Sequence, residues 1–269
     1  MTSVPTIALR QTQAELLEEK GDLDLLVDLS LVASETLEVV TSLIPWPPRQ
    51  GDCPITWIYN DQIGPILLHR RCDQQEDGYQ LVLSTIDPAS PSFVYELAHE
   101  LGHIMFGYRH SNALIETLCQ ALALTVLQEM SRRWLDRQDR PRPFSEPARL
   151  AEFADREIAR SIRELHETGE LASTDPDALI ACVVEHVADL DEDPRFRNYA
   201  RPTLAAFLLC RSEVPWPELN GISEATNPPL TADQYFLENR QSDLSQLTPD
   251  VRAALARIGR RQSVTETAF

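Results

Sequence analysis

Residues 99 to 103 read His99-Glu100-Leu101-Gly102-His103, and they lie in a segment that is otherwise almost wholly apolar. Residues 92 to 107 (SFVYELAHELGHIMFG) keep apolar side chains at Phe93, Val94, Leu97, Leu101, Ile104 and Met105, open beside Pro91 and Ser92, and meet Gly107 one turn past the second histidine. That pattern predicts a buried helix with a proline-serine start and a glycine stop. On a helix, positions i and i+4 share a face, so the two imidazoles can converge on one cation while Glu100 leans over the adjacent rim. The competing reading makes His99 and His103 core histidines and Glu100 a surface acid. Two buried imidazoles would then need two separate hydrogen-bonding partners, whereas one divalent ion serves both. Zn²⁺ is the ion that this motif and donor set imply.

A catalytic zinc site usually takes three protein donors and keeps one position for water. Residues 113 to 127 (ALIETLCQALALTVL) form a second apolar helical run whose single charged residue is Glu116. Burying a lone carboxylate costs several kcal/mol at least, and a cation beside it offsets that cost. Glu116 is therefore the expected third metal ligand, in an HExxH-x12-E arrangement with His99 and His103. The alternative places Glu116 in the first turns after an Asn112 cap, where the helix dipole favours an acid. Glu185, followed by Asp189, is a more distant competitor. Cys119 stands one turn after Glu116 and can line such a site, although a small buried hydrophobe is the simpler reading.

Two other zinc arrangements are tested by the sequence. The metzincin pattern H-E-x-x-H-x-x-G-x-x-H fails because Gly107 and His110 each fall one residue too late, and Met1, Met105 and Met130 offer no Met-turn. Cys53 and Cys72 precede the pentad, as a deformylase cysteine would, but neither lies in a comparable motif.

With these residues in view, the region from about residue 50 to 130 resembles the gluzincin metallopeptidases, particularly the short ImmA/IrrE-like proteases; HELGH is the specific motif. The resemblance implies a small sheet before the HExxH helix and a glutamate ligand on the helix after it. It implies His99, His103 and Glu116 as metal ligands, Glu100 as general base, and peptide or protein as substrate. It also implies a Tyr or His donor to the tetrahedral oxyanion. His110 is the expected residue, with Tyr108, Tyr95, His166 and His186 as further candidates. If it holds, residues 80 to 85 would present an edge to which an extended peptide adds as a strand. No helix-turn-helix module accompanies the motif.

Acidic residues number 42 against 24 basic ones, for a formal net charge of −18, which argues against nonspecific binding to nucleic acid. No stretch reaches the roughly 18 apolar residues of a membrane span, and residues 1 to 20 lack a signal-peptide core, so the expectation is a cytoplasmic protein without a membrane partner. Five scattered cysteines without C-x-x-C spacing read as reduced thiols.

Elsewhere, Gln11 to Leu43 predicts one helix broken near Gly21, or two in series, ended by Pro45, Pro47 and Pro48. Three β-like runs follow, Ile55 to Tyr59, Pro65 to Cys72 and Tyr79 to Thr85, read as a small antiparallel sheet. Further helices are expected over Glu146 to His166, Asp175 to Leu190, Arg197 to Leu209 and Thr248 to Gly259, with residues 215 to 229 a loop.

The expected fold is α+β and mostly helical, with a small, mainly antiparallel sheet before the HExxH helix. Residues 1 to 140 form a zincin-like core, 141 to 260 a helical region packed on it, and 261 to 269 a disordered tail. The function expected is zinc-dependent peptide hydrolysis. The alternative is a catalytically silent, zinc-bearing regulatory or interaction module, distinguished by a fourth protein side chain on the metal.

Overall fold

The computed structural model describes residues 7–9, 14, 17–18, 21–46, 54–62, 65–70, 78–106, 113–137, 146–167 and 216–219. Strand β1 (Ile7–Leu9) leads to helix α1 (Leu23–Leu43). Strands β2 (Ile55–Tyr59), β3 (Ile66–Arg70) and β4 (Gly78–Leu83) follow, then helices α2 (Pro91–Phe106), α3 (Ala113–Asp136) and α4 (Ala148–Glu167). A single 3-10 turn spans Trp216–Leu219.

The break expected near Gly21 is a helix stop. Gly21 has φ +76°, its N–H donates to Glu18 O at 3.0 Å and the Asp22 N–H donates to Leu17 O at 2.9 Å. These are the paired hydrogen bonds of a Schellman motif, which needs a left-handed residue that glycine supplies without strain. Helix α1 then restarts and buries Leu29, Val32, Ala33, Thr36, Leu37, Val39 and Val40, a stripe at helical spacing.

The sheet corrects the sequence reading. Its order is β1-β2-β4-β3; β1 pairs parallel with β2, and β2 parallel with β4, leaving β3 antiparallel to β4 at one edge. It is therefore mainly parallel, not mainly antiparallel. Parallel neighbours need a long crossover. Helix α1 supplies one between β1 and β2, and the β3 excursion supplies the other between β2 and β4. Residues Tyr79 to Leu83 are buried without alternation, as a strand covered on both faces should be. Strand β4 is also interior within the sheet, so the expected peptide-accepting edge at residues 80 to 85 does not exist: β2 and β3 occupy both sides.

Helix α2 begins as its residues require. Pro91 is the first helical residue and the Ser92 N–H donates to Ser90 Oγ at 3.3 Å, a serine cap before a proline. Glu96 then fastens α2 to the end of β4, accepting from Ser84 N at 2.7 Å and from Ser84 Oγ at 2.5 Å. On the sheet side, Trp57 and Phe93 meet edge to face at 5.2 Å between ring centroids.

Helix α3 packs against both α2 and α1. Glu35 on α1 accepts from Trp134 Nε1 at 2.6 Å and from Arg137, a charge-assisted clamp across the helix pair. Helix α4 adds Leu150, Ala154 and Ile158 to the same core, as do Trp216 and Leu219. The described part of the 215 to 229 segment thus packs inward, with Trp216 6.3 Å from the Phe106 ring. The helices expected over 175–190, 197–209 and 248–259, and the tail at 261–269, lie outside the described residues. No helix among the described residues is long and apolar enough to cross a membrane.

Helices α2 and α3 approach closely at Gly102, where a Cβ would meet Cys119 Sγ at 3.0 Å, Cα at 3.2 Å and Cβ at 3.3 Å. Replacing glycine within a helix gains up to about 1 kcal/mol of propensity for alanine, less for a β-branched residue. Overpacking costs typically 1–3 kcal/mol. Gly102→Val should therefore destabilise the protein by about 2–3 kcal/mol in denaturant unfolding; unchanged stability would show that the two helices do not meet there.

Candidate metal centre

The two histidines stand one turn apart on α2 with ring centroids 5.0 Å apart. Helix α3 brings a carboxylate to them. His99 Nε2 lies 3.1 Å from Glu116 Oε2, and His103 Nε2 lies 3.5 Å from Glu116 Oε1. A tetrahedral ion with 2.0–2.1 Å bonds to nitrogen and oxygen separates its donors by roughly 3.3 Å. The observed spacings bracket that value, so these residues could hold a divalent metal ion.

Cys119, one turn beyond Glu116, belongs to the same cluster. Its Sγ and a ring nitrogen from each of His99 and His103 all lie within 4.8 Å of one another. The two α3 donors differ in position. Glu116 and both histidine side chains keep 12–13% exposure, whereas Cys119 is fully buried. The Cys119 sulfur is thus the more deeply buried of the two.

Glu100 is buried, 3% exposed, and its charge acts on both His99 and Cys119. The pentad thus directs its carboxylate inward, not to the surface. Tyr95, half-buried one turn before His99, places its ring centroid 6.3 Å from the His99 ring. His99 Nδ1 is buried and makes no hydrogen bond among the described residues. His110, Tyr108, His186, Glu185 and Asp189 lie outside the described residues, as do Cys53, Cys72, Cys182 and Cys210.

The electrostatics separate the two imidazoles. Burial alone would lower the His99 pKa, but its hydrogen bond to Glu116 and the charges of Glu116, Glu100 and Glu96 outweigh that and hold it above the ordinary value. Burial takes His103 down to about 4; the Glu116 charge opposes this and the His99 charge reinforces it. The ring nearer to Glu116 is the one whose proton affinity is raised. Burial, followed by the charges of Glu116 and Glu100, pushes the Cys119 thiol well up. A bound divalent cation reverses this preference and favours thiolate.

Sequence reasoning found the histidines, Glu100 and Glu116; it rated Cys119 as packing because a lone buried cysteine carries no donor signal until the helix crossing is known. In the metal-free protein, histidine NMR should show His99 keeping its proton to higher pH than free imidazole, while His103 stays neutral until the pH falls to about 4. Matching titrations near 6.5 would refute the Glu116 contact. No protein-family model, no curated protein and no solved structure matches this chain.

Proposed function

We propose that this chain is a zinc-dependent metallopeptidase. The observation that carries the reading is that Glu116 on α3 lies 3.1 and 3.5 Å from the Nε2 atoms of His99 and His103 on α2, with Glu100 buried in the same pentad. A zinc ion bound there lowers the pKa of its water toward neutrality and polarises a carbonyl. The chain's residues do the rest.

His99 and His103 hold neutral nitrogens toward the ion, with His103 already favouring that form. Glu116 supplies negative charge beside both rings. Glu100 accepts the proton of the attacking water and returns it to the leaving amine, the task of a carboxylate held in a low-dielectric position. An oxyanion donor completes the chemistry; Tyr95 is the described candidate, and His110 remains the proposed residue outside the described set. The substrate class proposed is peptide or protein, with no role for nucleic acid.

One observation favours a second reading, a zinc-bearing regulatory or interaction module without turnover. Cys119 stands within reach of both histidines and offers the fourth protein donor that would close the site.

Glu100→Gln separates the two. The variant should retain stoichiometric zinc, because the histidines and Glu116 are untouched, and should lose hydrolysis of a broad peptide mixture by about 10²–10⁴-fold. Equal cleavage by the variant and the unmodified protein would remove Glu100 from the mechanism. Zinc binding without cleavage by either would favour the module. Glu116→Gln should instead weaken zinc binding, read by competition with a chromophoric chelator.

A further inference from the structure

We propose that Cys119 is itself a metal donor, its thiolate binding the same ion as His99 and His103. The inference rests on the reading of this site as a metal centre. Three facts carry it. The sulfur and a nitrogen from each ring lie within 4.8 Å of one another. Cys119 is fully buried, so its sulfur is shielded from solvent, whereas Glu116 keeps 12% exposure. The absence of a side chain at Gly102 brings the α3 backbone at Cys119 onto the histidine helix, with Sγ 3.0 Å from where a Cβ would stand. A larger residue at position 102 would contest the space the sulfur occupies.

On binding, the Cys119 S–H bond breaks, its proton leaves to solvent and a sulfur–metal bond forms. The resulting donors are two imidazoles, a carboxylate and a thiolate. That set selects zinc, cobalt or cadmium over magnesium, calcium and manganese. Such a four-donor shell is the closed site of the second reading, and hydrolysis at it would require Glu116 to give up its place to water or a fifth position to open.

X-ray absorption of the full-length protein loaded with one equivalent of zinc tests this directly. The expected spectrum contains one sulfur at about 2.3 Å, with nitrogen and oxygen making up the remainder. Cys119→Ser and Cys119→Ala should both lose the sulfur and bind zinc at least about tenfold more weakly. The cobalt-loaded protein should show a sulfur-to-cobalt charge-transfer band that both variants lack. A nitrogen- and oxygen-only shell in the unmodified protein overturns the Cys119 assignment and leaves the peptidase reading standing. A sulfur signal that survives in both variants overturns it too, because another cysteine would be the source. No stoichiometric zinc in the unmodified protein overturns the metal centre and the inference together.

Discussion

The close crossing of α2 and α3 at Gly102 and Cys119 is the contact on which the site depends. Helix α2 alone offers two imidazoles and the buried Glu100, but no carboxylate set against both rings. Helix α3 alone offers a carboxylate and a thiol in an apolar face that neither would occupy cheaply. Brought together, each helix answers the other's problem. The tolerance is narrow, because donor spacings of 3.1 and 3.5 Å suit a shared ion only if the backbones hold to within a few tenths of an ångström. The Glu35 contacts to Trp134 and Arg137 fix the far end of α3 against α1, so the crossing is held at more than one point.

The charge around the histidines has a direction. Carboxylates of Glu116, Glu100 and Glu96 all act on His99, while burial resists full protonation of the imidazole pair. Without an ion, that negative field raises the proton affinity of His99 against the cost of burial. A divalent cation answers the field better: it satisfies neutral nitrogens and anionic oxygens together, without asking a buried ring to carry charge.

Much of this arrangement is legible in the sequence, and the failures have physical causes. The apolar period around the pentad predicts α2 to within one residue at each end, and the β2 run matches its strand. Glu116 is legible because a solitary charge in an apolar helix demands a partner. The sheet is not, because β1 has only Ile7, Ala8 and Leu9 to announce it, and strand direction is set by crossovers that no local pattern records. The same omission made residues 80 to 85 look like an edge. Cys119 is silent for another reason: its meaning comes from which residue faces it across a helix crossing, and that residue is a glycine.

Glu96 sits three residues before His99 and grips Ser84 at the end of the central strand. The ligand-bearing helix and the middle of the sheet are thereby one mechanical body. A movement of the histidine helix away from the sheet would have to break both contacts, so the position of the two imidazoles is tied to the end of β4.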